Sequence, residues 1–305
     1  DPVSAINMLY PNASHHRSIT REVDRSSRDA VSQRLPFTLL FNELGKHTLY
    51  IVMDKKMPLG FIHARSELSV FSLMEIVWAP SPDMTIKDGY FQRCRNKQCR
   101  DAIFISEIKA LINNKTFDEL NALIDQKSDL NNSESNTSFT AKSTGLKQAI
   151  IKSALKTIAV TESVWQKDIH RAQREKLIYS QFSPQKALSI TAITPQHNTT
   201  KKHEKITFNM VHPTSIKTYK VSTSTEKLGT IVYAKWEQYG HKGAFNWLFS
   251  NDGTVLDIQP SQPWPNDEIA REFQQTLGKN ISDKSQCNTA TELAGEKLFR
   301  LSQQH

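Results

Sequence analysis

One stretch of this chain occurs twice, and that duplication constrains the fold more than any other feature. Leu59-Gly60-Phe61-Ile62-His63-Ala64-Arg65-Ser66-Glu67 is matched by Leu228-Gly229-Thr230-Ile231-Val232-Tyr233-Ala234-Lys235-Trp236-Glu237. Downstream, Trp78, Ser81, Asp83, Thr85, Ile86 and Asp88 are matched by Trp247, Ser250, Asp252, Thr254, Val255 and Asp257. From Gly60 and from Gly229 the tryptophan lies 18 residues on, and the copies stand 169 residues apart. A period that long belongs to repeated domains rather than to a solenoid unit. At 305 residues the chain has room for two.

Each copy reads as a β-meander followed by helices. In the first, Leu49–Asp54, Gly60–Arg65, Leu73–Ala79 and Thr85–Cys94 have strand character, with a Ser81-Pro82-Asp83 turn. In the second the strands are Ile216–Val221, Thr230–Lys235, Ala244–Phe249 and Thr254–Gln259, with an Asn251-Asp252-Gly253 turn. Phe104, Ile108, Leu111 and Ile112 recur at helical spacing, and Phe117, Leu120, Leu123 and Ile124 continue after a break. In the second copy Asn266 or Asp267 caps a helix through Ile269, Phe273 and Leu277, with Gly278 as its stop. A polar stretch then precedes a last helix in each half: Lys127–Ser143 before Leu146, Ile150, Ala154 and Leu155, and Ile281–Thr289 before Leu293, Leu298 and Leu301. Thr161–Gln181 reads as a charged helical connector and Gln185–Lys205 as a surface loop. The expected fold is α+β, with two tandem domains, each a twisted antiparallel sheet packed against helices. The first spans residues 1–165; the second, with its connector helix, spans 166–305.

Glycine, at 10 residues, has about half its usual share. No G-x-G-x-x-G, G-x-x-x-x-G-K-[ST] or G-x-S-x-G occurs, which argues against Rossmann, P-loop and α/β-hydrolase folds. The net charge of +8 suits a solvated basic protein as well as an anionic partner. The positive residues are spread out, except for Arg93, Arg95, Lys97 and Arg100, which read as a solvated strand end or as a site for a phosphate or an acidic partner. No nucleic-acid-binding spacing is present. No apolar run approaches the ~18 residues of a membrane span. The first residue is Asp1, for which a removed signal peptide and a trimmed chain are both explanations. Cys94 and Cys99 suit either a disulfide or two free thiols, and Cys287 is left over. No metal set is expected: His15, His16, His197 and His203 lie in polar, loop-like sequence.

The two copies together resemble the FMN-binding domain family, whose relatives include the G subunit of the Rnf electron-transport complex, the C subunit of the sodium-pumping NADH:quinone oxidoreductase, and the periplasmic part of the nitrous-oxide-reductase regulator. The resemblance is carried by Leu59-Gly60, the Trp78–Asp83 hairpin and Ile86, and in the second copy by Leu228-Gly229, Tyr239-Gly240-His241-Lys242-Gly243, Asp252-Gly253 and Val255. In that family a Ser-Gly-Ala-Thr segment opens the last helix, and its threonine carries FMN by a phosphoester. The corresponding segments here are Thr137-Ser138-Phe139-Thr140-Ala141-Lys142-Ser143 and Asn288-Thr289-Ala290-Thr291, so neither copy has Ser-Gly-Ala-Thr.

The resemblance implies FMN as cofactor, Thr140 and Thr291 as acceptors, and Trp78, Trp247, Tyr239 and His241 beside the flavin, with Trp236 nearby. Each residue also has a plain role: helix capping for the threonines, core packing for the tryptophans, exposed loop for Tyr239 and His241. The implied function is an FMN-binding electron-transfer protein of the cell envelope, periplasmic or otherwise outside the cytoplasm, with a redox or regulatory protein partner in a membrane-associated complex. The alternative is a non-catalytic envelope binding module that keeps the fold without flavin. An enzyme is a third reading, for which the sequence offers no catalytic constellation.

Overall fold

The computed structural model describes residues 2–69, 73–125, 138–182, 189–193, 216–238 and 241–303. The protein is α+β, and two compact units divide between Ala172 and Gln173. In the first unit, α1 (Val3–Leu9) leads into β1 (His15–Val23), α2 (Arg25–Ser32), β2 (Gly45–Asp54), β3 (Met57–Leu68), β4 (Leu73–Pro80) and β5 (Ile86–Cys94). The helices α3 (Ala102–Ile112), α4 (Phe117–Asp125) and α5 (Ser138–Val164) follow, and α6 (Gln166–Gln181) carries the chain across the boundary. The second unit adds β6 (Ser189–Ile193), β7 (Lys217–Ser222), β8 (Lys227–Gln238), β9 (His241–Ser250), β10 (Val255–Pro260), α7 (Asp267–Gln274) and α8 (Ala290–Ser302).

Both sheets are five-stranded antiparallel meanders in chain order. Alternation along each strand sends one set of side chains to each face. In unit 1, Leu49, Ile51, Phe61, Ile76 and Trp78 face the core with α2–α5, while Val52, Ile62, Val77 and Ala79 pack with Ala5, Ile6 and Leu9 of α1 and with Tyr10 just after it. Unit 2 is covered in the same way. Val232, Phe245, Trp247 and Phe249 pack with α7 and α8, while Ile231, Leu248 and Val221 pack with Leu177 and Ile178 of α6.

The duplication extends to hydrogen-bond register. His63 pairs with Trp78, and Val232 with Trp247; Gly60 pairs with Val52, and Gly229 with Val221. The turn amide of Ser81 donates to Thr85 O at 2.8 Å, and that of Ser250 to Thr254 O at 2.9 Å. The repeated Leu-Gly has a steric cause. A Cβ at Gly60 would stand 2.9 Å from the Pro80 carbonyl oxygen, and one at Gly229 would stand 2.3 Å from that of Phe249. Both are closer than a side-chain carbon tolerates, so the neighbouring strand can close over this point only where Cβ is missing.

Several local expectations change, and two open alternatives are decided. His15 and His16 lie in strand β1, not in a loop. β6 occupies the middle of the expected loop Gln185–Lys205. Both are edge strands; β1 is exposed along most of its length and lacks the apolar alternation by which a strand is read, and β6 is only five residues long. α5 begins at Ser138, a turn before the expected start near Ser143, and runs for 27 residues. Asn266, not Asp267, caps α7, with its side chain accepting from Ile269 N at 2.9 Å. Cys94 and Cys99 form a disulfide that ties the end of β5 to the 3-10 turn Lys97–Arg100. Cys287 is a free thiol.

Candidate functional site

Strand β3 places Phe61, His63, Arg65 and Glu67 on its core-facing side, so three titratable groups enter an apolar layer. Burial of such groups is costly unless each finds a partner. Arg65 Nη2 donates to Glu43 Oε1 at 2.6 Å. Lys156 of α5 reaches Glu43 Oε1 at 2.9 Å and both Glu67 oxygens at 2.9 and 3.0 Å. The amide of Leu40 donates to Glu43 Oε2 at 2.8 Å. Two acids and two bases thus neutralise one another inside unit 1, each side chain at most 7% exposed.

The two carboxylates sit in different fields. Burial raises the Glu43 pKa, but Arg65, the Leu40 amide and Lys156 outweigh it and hold the group below the usual range. For Glu67 burial wins: its pKa is raised, with Lys156 opposing and the Glu43 charge adding to the rise. His47 Nε2 donates to the Glu43 carbonyl oxygen at 3.0 Å, and its ring stacks on that of His63 with centroids 5.6 Å apart. His63 also meets Trp165 edge-on at 5.7 Å. Neither ring nitrogen of His63 has a hydrogen-bond partner among the described residues. Burial first, and Arg65 second, push both histidines below the usual imidazole value, His63 far below it. Both are neutral at pH 7. Beside the cluster lies a cavity of about 310 Å³ lined by residues that include Glu43, Lys46, His47, Tyr50 and Ser66. No group of three or more metal-ligating side chains occurs among the described residues.

Buried His63 and partly buried His47 give the protein a defined acid sensitivity. Their folded-state pKa values lie below the ~6.5 of an unfolded imidazole, so the unfolded chain takes up protons that the folded one refuses. Stability is unaffected well above pH 6.5 and falls as pH drops below it, by at most about 1.4 kcal/mol per pH unit for His63 and by less for the solvent-screened His47. Urea unfolding at pH 7.5, 6.5 and 5.5 is expected to show this fall, and His63→Gln to flatten its share. Equal stability at all three pH values contradicts neutral burial of the imidazoles.

The residues singled out by resemblance fall mainly in cores and at element starts. Trp78 is buried in the unit 1 core, where its Nε1 donates to Ser153 Oγ at 2.9 Å. Trp247 is buried among Phe245, Phe249 and Phe273, and Gly295 of α8 packs against its ring. Thr291 is buried in the first turn of α8. Thr140 falls in the first turn of α5 and His241 opens β9, but their side chains lie outside the described residues, as does that of Trp236. Tyr239, His197 and His203 lie wholly outside them.

The ionic cluster was not singled out from the sequence. A readable signal was there: once Phe61 is assigned to the core, residues 63, 65 and 67 share its face, and charges at that parity mark an internal polar site. Glu43 and Lys156 carry no such mark, because a loop residue and one helical lysine among several reach the cluster only through tertiary packing. No family model, curated protein or solved structure matches the chain.

Proposed function

We propose that the chain is a non-catalytic binding module of the cell envelope, built on two copies of the FMN-binding-domain scaffold, the second of which cannot anchor flavin. The observation that carries this reading is the start of α8. Thr289 caps the helix by accepting from Glu292 N at 3.1 Å. The Glu292 carboxylate accepts from the amides of Asn288 at 2.6 Å and Thr289 at 3.1 Å. A phosphate at a helix N-terminus needs such free amides and a positive local field. Here the amides of Asn288 and Thr289 are taken by an anion and that of Glu292 by the capping hydroxyl, so a negative charge already sits at this helix start. The Glu292 pKa lies below the usual range because burial is outweighed by Lys279 and the Asn288 and Thr289 amides. Thr291, the acceptor position, is 1% exposed. An oxidising compartment suits the Cys94–Cys99 disulfide, and no helix among the described residues is long and apolar enough to cross a membrane.

One observation favours the electron-carrier reading for the first copy: Thr140 falls in the first turn of α5, the place an acceptor occupies in the resemblance. FMN held there would supply the redox chemistry, and the chain would set its position and exposure. The experiment is export of the chain together with a flavin transferase, followed by visible absorption and intact mass. The expected result is unmodified mass and no flavin band near ~450 nm. A mass gain of one FMN phosphoester that Thr140→Ala abolishes overturns the binding-module reading in favour of the carrier. A gain abolished by Thr291→Ala overturns the argument from α8 as well.

A further inference from the structure

One end of the unit 1 sheet gathers features that neither the ionic cluster nor the flavin question uses. The register fixes which residues meet there. β1 ends at Val23, paired with Gly45 at the start of β2; β3 ends at Leu68, paired with Leu73 at the start of β4; Met74 pairs with Cys94 at the end of β5. At this end Leu68 is 62% exposed, Leu73 52% and Phe41 69%. Beside Leu73, the disulfide pins a short loop that presents Arg93, Arg95, Lys97 and Arg100 to solvent within eight residues. Of the nearby carboxylates, Glu22 is exposed beside Lys46 and the others are engaged. Glu43 and Glu67 are buried against Arg65 and Lys156. Asp101 caps α3, accepting from Ile103 N and Phe104 N, and Glu75 stands 3.5 Å from Arg93.

From this juxtaposition of exposed leucines with a disulfide-pinned basic loop, we infer that this end of unit 1 docks on an anionic lipid surface. The chemistry has two parts. Lysine and arginine side chains near an anionic bilayer are drawn by its negative surface potential, an attraction that falls off within a Debye length. Exposed leucine and phenylalanine side chains leave water by entering the headgroup boundary. Each part alone is weak, and stable association takes both signals. The favoured occupant is a bilayer rather than an acidic protein because the apolar groups sit at strand and loop ends, where they can dip into an interface. A protein partner is normally met by a flatter patch whose apolar core has a polar rim. The contact is peripheral, and it does not depend on whether either copy binds flavin.

The test is sedimentation of the full chain with sucrose-loaded vesicles of phosphatidylcholine, alone or mixed with phosphatidylglycerol. Binding is expected only to the mixed vesicles, and to weaken steeply with added salt. The double substitution Arg93→Gln and Arg95→Gln is expected to lower partitioning at least about tenfold. Leu68→Ser with Leu73→Ser is expected to lower it by a similar factor. All four side chains are exposed, so unfolding midpoints should match the parent, and the salt dependence of the unaltered chain gives a reading free of any variant. Three results overturn the proposal: no binding to mixed vesicles at low salt; binding that the leucine pair leaves unchanged, which reduces the contact to non-specific charge; and binding to polyglutamate but not to vesicles, which points to an acidic protein instead.

Discussion

Lys156→Met is expected to lower the unfolding free energy by about 3–5 kcal/mol, the cost of removing one partner from a buried ion cluster. Lys156 holds Glu43 and Glu67 together, and without it Glu67 keeps no cation within hydrogen-bond distance among the described residues. The methylenes of a methionine replace most of the lysine stem, so the loss is electrostatic rather than a cavity effect. A second substitution separates the two. Adding Glu67→Gln to Lys156→Met removes the orphaned charge and should recover part of the loss, since replacing both partners of a buried pair costs far less than removing one. The pH dependence has a definite sign. The Glu67 pKa is already raised, first by burial, and it climbs further once Lys156 is gone. A raised folded pKa favours the folded state in acid and costs stability as pH rises through it, so the deficit of Lys156→Met should shrink toward low pH. Urea unfolding of the parent and both variants at pH 7 and pH 5 measures this. A deficit under about 1 kcal/mol, typical of surface pairs, would show that the cluster is hydrated.

Trp247→Ala is expected to destabilise unit 2 by about 3–5 kcal/mol, the usual cost of emptying a buried aromatic site. The ring is fully buried and lies within 6.0 Å, centroid to centroid, of Phe245, Phe249 and Phe273. Trp264 extends the stack through Phe273 at 4.6 Å. The backbone also fits this ring closely, since a Cβ at Gly295 would come within 2.5 Å of it. Trp247→Phe should recover a large part of the loss by keeping an aromatic in the site. Thermal unfolding of both variants decides. If Trp247→Ala leaves the midpoint unchanged, the ring is not a core element, and a ligand-facing role for it gains ground.

Much of the architecture was legible because the repeat and the strand alternation report the same thing at different scales. His63 and Trp78, like Val232 and Trp247, stand 15 residues apart and pair directly across neighbouring strands. The Leu-Gly pair was legible as a motif, but its cause lay in the approach of a neighbouring carbonyl, which no local pattern encodes. The helix α6 read as a linker because most of its residues are polar. Its Leu177 and Ile178 in fact cover the far face of the second sheet, as Ile6 and Leu9 of α1 cover the first.

The candidate sites divide along the same line. The resemblance led to Thr291 and Trp247; the core role offered for Trp247 is the one it has, whereas Thr289 and not Thr291 caps α8. The Glu43–Arg65–Glu67–Lys156 cluster was not read, because its members come from a loop, one strand and a helix up to 113 residues away along the chain. Sequence alone determined the two-fold duplication, the meander of each copy and its turns, because those follow from short-range periodicity and turn chemistry. Only the tertiary structure decided which charges are buried together, that Cys94 and Cys99 are joined, and which exposed side chains share one end of a sheet. The buried charges and the shared sheet end depend on how segments separated in the chain pack together, and the bridge depends on a turn that brings two nearby sulfurs within bonding distance; residue types alone encode neither.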